Sequence, residues 1–188
     1  MAGNSLRNIL REATHASHER LDAVMSRLEL SQRDGYASFI AVHAAILDPL
    51  EQAMEEAGVA ALLPDWPART RRAAIAEDAR ALGLDVAPVE LPELDMTPAG
   101  LAGLLYVLEG SRLGNAMLVR EARRASEPLP VAFMEHGHGN SLWPVFVKWL
   151  DTLPLDAPAE AAATGSALGL FGLYQCEADR RVPGQGVH

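Results

Sequence analysis

Two histidines stand in the opening stretch LREATHASHERLD, residues 10–22, at positions 15 and 18. An imidazole has little use inside a helix core. It has two strong chemical uses: moving protons near neutral pH and lending a neutral nitrogen to a metal. His18 follows Leu10 and Thr14 at four-residue steps, on or beside the apolar seam, with His15 turned a little away. Asp22 comes one turn beyond His18, where a carboxylate can accept from the other ring nitrogen and fix the tautomer. The plainer reading makes His18 a hydrogen-bonded core residue, and spacing alone leaves both readings open.

The second feature is YVLEGSRLGNAML, residues 106–118, which places Gly110 and Gly114 on one face of a helix. Each interior glycine costs about 1 kcal/mol relative to alanine, so the pair needs a compensating contact. Either a neighbouring helix packs against the bare backbone or a flat ligand lies there. Other candidates carry less. His136 and His138 sit in a Gly-rich HGHG turn without a nearby acid or cysteine, and read as loop. His43 lies in an apolar helical run and reads as core. Glu51, Glu55 and Glu56 lack the Glu-x-x-His pairs of di-iron bundles. No nucleophile elbow, P-loop or dinucleotide fingerprint is present.

These residues have to be carried by helices, because the apolar rhythm is three-and-four throughout. Leu6, Ile9, Leu10, Ala13, Leu21, Val24, Met25 and Leu28 mark the buried face of the first helix. Ser31 is the expected cap of a second, which Pro49 should kink and Gly58 should end. A third is expected over residues 65–83, capped by Asp65 and stopped by Gly83. Residues 84–96 form an acidic, proline-bearing linker. Thr97 with Pro98 opens the glycine helix, which should run to about Arg124. A short apolar piece, VAFME, precedes the HGHGNS loop; SLWPVFVKWLDTL and the stretch from Ala157 to Arg180 supply the last two helices. The expectation is an all-α, single-domain helical bundle over residues 1–188, with a frayed tail at 183–188.

Composition narrows the partners. Of 188 residues, 49% are apolar and 22% charged, and acids outnumber bases 25 to 16 for a net charge of −9. Such a chain lacks the basic surface that nucleic acid requires and is repelled by anionic membranes. Charges interrupt the first residues too often for a signal-peptide core, and no apolar run is long enough to span a bilayer. The single cysteine, Cys176, has no partner for a disulfide or a CxxC site. A cytoplasmic setting is expected.

Taken in order along the chain, the motifs resemble those of the heme oxygenases. LREATHASHERLD is similar to that family's proximal helix, L-[KR]-x-x-T-x-x-x-H followed by an acid, with Leu10, Arg11, Thr14, His18 and Asp22 at those positions. YVLEGSRLGNAML resembles the distal helix, with Gly110 and Gly114 as its glycines. GYASFIAVHAAILDPLE, the Leu142–Trp143 pair and the last helix with Phe171 follow in the family's order, in the manner of the bacterial branch that supplies biliverdin to phytochromes. The resemblance implies heme as both substrate and cofactor, held between the two helices with His18 as the axial iron ligand. Dioxygen would then bind on the side of Gly110 and Gly114, with electrons from a ferredoxin, a reductase or ascorbate. The implied products are biliverdin, carbon monoxide and iron, with a bacteriophytochrome as a candidate acceptor of the pigment.

Departures from the family pattern define the questions for the structure. Ser111 stands where animal members place an aspartate, so proton delivery must fall to Ser111, Arg112 or bound water. Asn115 replaces the usual second glycine, and can point into the distal space or away from it. An acidic chain must still supply cations for the heme propionates; Arg11 matches a family position and Lys148 is a looser candidate. Two other readings compete: a carrier or sensor of the same fold that binds heme without cleaving it, and a ferritin-like or thiaminase-like bundle in which His18 is structural.

Overall fold

The structure, a computed structural model, describes residues 5–153 and 156–182. The helices are α1 (Leu6–Met25), α2 (Arg33–Glu56), α3 (Val59–Leu62), α4 (Arg72–Leu82), α5 (Pro98–Ala122), α6 (Ala132–Glu135), α7 (Leu142–Leu150) and α8 (Ala157–Arg181). No strand occurs among the described residues. The expected frayed tail lies outside them.

Local chemistry explains most boundaries. Thr97 caps α5 by accepting from the Gly100 amide at 3.3 Å, and Pro98 fills the first helical position, where its missing N–H costs nothing. Asp156 caps α8 in the same way through the Ala159 amide at 2.8 Å. Gly83 takes the left-handed conformation that ends α4, and Gly58 does so just beyond α2. α2 runs on through Pro49.

Two expected caps are not made. Ser31 does not cap α2: the N-cap is Gln32, with no side-chain hydrogen bond. There Gly35 packs onto the backbone of Glu29, and this tight entry, between buried Leu28 and Leu30 and buried Tyr36, decides where the helix starts. Asp65 does not cap a helix over 65–83 either. Both its oxygens accept from Arg69 at 2.7 Å, and the chain makes a short 3-10 turn at Trp66–Ala68 before α4 begins at Arg72. Glu51 of α2 takes over the capping of α4, accepting from the main-chain amides of Arg71 and Arg72.

α8 is the spine. Both α1 and α5 lie along it, yet α1 and α5 scarcely meet each other. The closest approach is at Gly103, where a β-carbon would collide with the Ala163 carbonyl. Seven residues above Gly103 is Gly110, and eight above Ala163 is Phe171. At about 1.5 Å per residue, those two climb to nearly the same height. α1 joins at matching levels: Thr14 beside Tyr106 of α5, and the His18 ring edge-on to Phe171 at 5.9 Å. At the top, the Leu30 amide donates to Glu121 at 3.0 Å. Because these contacts ascend together, α1, α5 and α8 run in one sense.

The intimate glycine contact thus belongs to Gly103 rather than to Gly110 or Gly114. Replacing Gly103 with alanine should force α5 and α8 apart and cost about 1–3 kcal/mol, the usual penalty of overpacking. Urea unfolding of Gly103→Ala beside the parent measures this, and an unchanged midpoint would contradict the packing described.

Candidate functional site

The seam of α1 is buried at Leu6, Leu10 and Thr14, and again at Val24. One turn above Thr14 it opens. His18 sits at the next seam position, yet its side chain is 62% exposed. This corrects the expectation of a covered face: the seam points inward, but no helix lies over it there. His18 Nδ1 is held by Asp22 Oδ2 at 2.9 Å, while Nε2 takes part in no hydrogen bond among the described residues. His15 makes a similar pair with Glu19 at 3.4 Å on the outer surface. Thr14 donates its hydroxyl to the Leu10 carbonyl at 2.7 Å and is used within its own helix.

The matching opening is on α5. Up to Glu109 this helix is almost wholly buried; from Gly110 one face turns outward. That face carries Gly110, Leu113, Gly114 and Met117, with Leu113 51% and Met117 75% exposed. A β-carbon at Gly114 would meet nothing, and one at Gly110 would only graze Trp143 at 4.0 Å. Only the Trp143 side chain of α7 comes near Gly110, and nothing among the described residues comes near Gly114. Tyr106 and Gly110 are four residues apart, as are Thr14 and His18, so the free imidazole and the bare backbone rise equally from one contact. The result is a slot: α1 and α5 form its sides, Phe171 of α8 backs it, and the Thr14–Tyr106 contact closes its foot. Arg7 stacks over Trp143 at 5.8 Å, and Arg7 and Arg11 both act on Tyr106, so two exposed cations stand at that foot. Lys148 is an exposed residue of α7.

Asn115 is buried and points away from the open face. Ser111, at the edge of that face, donates to the Leu108 carbonyl at 2.7 Å and accepts from Arg71 Nη1 at 3.0 Å. Arg112 is fully engaged: Nε with Glu109 at 2.9 Å, Nη1 with the His136 carbonyl at 3.1 Å, Nη2 with the Arg69 carbonyl. The buried Glu109 also takes Arg69 Nη1 at 2.5 Å, and Arg69 reaches the Leu142 carbonyl, next to Trp143. Removing either partner of such a buried pair strands a charge, a loss of about 3–5 kcal/mol. The network therefore fixes the turn just before Gly110 and the tryptophan beside it.

An arrangement of this kind can take a flat apolar body bearing a metal: a lone pair on one side, naked main chain on the other, aromatic and aliphatic walls, and cations at one end. Comparison with known proteins agrees. No family model matches the chain. It is 30% identical over 175 residues to heme oxygenase PigA of Pseudomonas aeruginosa, an alignment covering 86% of this chain and 85% of that protein. It is also 30% identical over 141 residues to a heme oxygenase of Xanthomonas campestris pv. campestris, covering 73% and 85%. The chain belongs to the heme oxygenase family. Among solved structures, the NO- and CO-bound heme oxygenase of Neisseria meningitidis superposes with a TM-score of 0.77 at 23% identity, over 99% of this chain and 96% of that one. The heme oxygenase of Leptospira interrogans gives 0.72 at 20% identity, over 94% and 100%. Both show the heme oxygenase fold.

Within that fold, sequence reasoning missed Arg7, Arg69, Arg71 and Glu109. Glu109 had a signal: a lone acid inside the apolar run LAGLLYVLEG must be paired if the helix is buried. Arg69 had a local signal in Asp65 four residues before it; Arg7 and Arg71 had none, since their partners lie far along the sequence. His43 is core, as expected, and its Nδ1 contacts the Phe39 carbonyl at 2.9 Å.

Burial, with help from the Arg71 cation, lowers the His43 pKa from 6.5 to about 4. The unfolded chain therefore takes up this proton first, and His43 favours folding fully above pH 6.5 and progressively less from pH 6.5 down to 4. Unfolding free energy should fall more steeply across that window in the parent than in His43→Leu. Equal slopes for the two proteins would contradict a buried neutral ring.

Proposed function

We propose that this protein is a biliverdin-forming heme oxygenase whose slot between α1 and α5 holds heme through His18. The observation that carries the reading is the coincidence, at one height on either side of the slot, of an unused imidazole nitrogen and a helix face without side chains. Bound heme supplies both the iron that activates dioxygen and the ring that is opened, giving biliverdin, carbon monoxide and ferrous iron.

The protein's own residues position and protect. Asp22, by holding Nδ1, fixes the His18 tautomer with Nε2 as the ligating atom and raises its basicity. Imidazole is a suitable axial donor here, because a thiolate would push the chemistry toward O–O cleavage. Phe171 meets the edge of the His18 ring and limits its rotation. Gly110 and Gly114 leave main chain bare on that side, so a bound heme would meet backbone rather than side chains there and a small ligand would have little headroom. Leu113 and Met117 extend the apolar surface of the same face. Arg11 and Arg7 offer cations to propionates at the foot of the slot; Lys148 is a further candidate on α7. Ser111, not Arg112, is the favoured proton donor on the glycine side: Arg112 is held at all three nitrogens, whereas the Ser111 hydroxyl stands at the edge of the open face with its proton resting on the Leu108 carbonyl.

Electrons come from outside the chain, from a ferredoxin or reductase in the cell or from ascorbate in vitro. The setting is cytoplasmic and the chain acts as one domain; no described helix is long and apolar enough to cross a membrane. A bacteriophytochrome is a candidate acceptor of the pigment. The carrier reading loses one of its two motives, since Asn115 is buried and does not crowd the slot; the departure at Ser111 remains.

Hemin added to the purified protein should give a Soret band that shifts in His18→Ala, and ascorbate under air should replace it with biliverdin absorption. A persistent Soret band without pigment would favour a carrier; no wild-type shift would end both heme readings. Gly110→Leu should retain heme and turn over about 10²-fold more slowly, because a displacement of that size at the reacting atoms costs about this much. Parent-like turnover would show that the bare backbone has no part in the reaction.

A further inference from the structure

Arg71 is the most anomalous side chain of the described residues. It is 2% exposed, yet no carboxylate of those residues forms an ion pair with its guanidinium, and its Nε has no protein acceptor. Glu51, the nearest acid in the chain's own bonding pattern, is occupied with the main-chain amides of Arg71 and Arg72 and with the Thr70 hydroxyl. Buried cations are ordinarily paired because desolvation is so costly, and a bland structural role at this place would be served by an apolar side chain. The cation lies 5.1 Å over the Phe133 ring, and its charge reaches His43, Tyr174, Arg112 and His136.

Its remaining bonds go to one turn of α5. Nη1 donates to Ser111 Oγ at 3.0 Å and Nη2 to the Leu108 carbonyl at 3.0 Å. Ser111 donates its only proton to that same carbonyl. A hydroxyl has one donor and two acceptor sites, so as it stands Ser111 can offer the slot nothing but a lone pair. The carbonyl, however, is supplied twice. If the Ser111 proton swings outward, Leu108 keeps Arg71 as its partner and no buried acceptor is orphaned. At the same time a guanidinium donating to Oγ polarises the O–H and strengthens it as a donor.

We propose that Arg71 is a positioning residue that makes Ser111 the hydrogen-bond donor on the glycine side of the slot. This rests on the heme oxygenase reading above. Ser111 acts on the ligand; Arg71 acts through Ser111, by holding its oxygen and by releasing its proton from Leu108. No carboxylate is then needed at position 111.

The test uses the full-length protein loaded with hemin, reduced, and probed with carbon monoxide, whose C–O stretching band falls when a donor approaches its oxygen. Ser111→Ala should raise that band, and Arg71→Gln should raise it in the same direction. Arg71→Lys, which keeps the charge but cannot hold both acceptors equally, should lie between. In Ser111→Ala, adding Arg71→Gln should move the band no further. Biliverdin formation should fall by about 10²-fold in Ser111→Ala, the lower range for a lost acid–base group, and no further in the double variant. An unmoved band in Ser111→Ala overturns the proposal, as does an Arg71→Gln shift of equal size with and without the serine. Should Arg71→Gln fail to fold, Arg71→Lys in both backgrounds decides in the same way. Failure of the parent protein to bind hemin would overturn the function itself, and is read separately in the Soret region.

Discussion

The contact between Gly103 and the Ala163 carbonyl fixes the height of everything else along the bundle. A helix carrying any other residue there would ride higher on α8. Because α5 sits down at that point, Gly110 and Phe171 arrive at one level, and α1, laid on α8 with His18 against Phe171, brings its free imidazole to the same level. The slot is the space left when two helices share a third as their support without packing on each other. Contacts at Thr14–Tyr106 and Leu30–Glu121 close its two ends and keep it from collapsing.

Holding such a gap open is unfavourable for an isolated chain, since Leu113, Met117 and the imidazole stay in water. What keeps the walls of the gap in place lies elsewhere in the molecule. Beneath α5 the described structure is dense and ionic: Asp65, Arg69, Glu109 and Arg112 form one chain of charge-assisted bonds that ends on the carbonyl beside Trp143. Charged pairs of this kind specify geometry more than they stabilise, because each must be satisfied in full or not formed at all. They lock the turn before Gly110 so that the glycines, which have no side chains to hold them, do not drift. Rigidity is supplied from behind the open face, and the face itself is left bare.

How much of this could be read in the sequence follows from the range of each interaction. Local chemistry was legible: Thr97–Pro98, Gly83, Gly58 and the three-and-four seam place helices correctly because their partners lie within one turn. Ser31 and Asp65 have the right types for caps but lost to competing contacts that cap chemistry does not signal, the packing of Gly35 on Glu29 and the pairing of Asp65 with Arg69 one turn on. His18 was placed on the right face, and only the structure reveals that nothing covers it. The glycine pair was ambiguous in sequence, and the ambiguity resolves because the close-packing role had gone to Gly103. The family pattern reached His18, Asp22 and Gly110 but not Arg71 or the Glu109–Arg69 pair, whose partners lie about 40 residues apart.

The most direct measurement is a crystal structure of the hemin complex. The proposed function predicts iron bonded to Nε2 of His18, with the ring against the main chain at Gly110 and Gly114 and near Phe171. A ring bound through His15, His43 or His136, or seated outside the gap between α1 and α5, would contradict it.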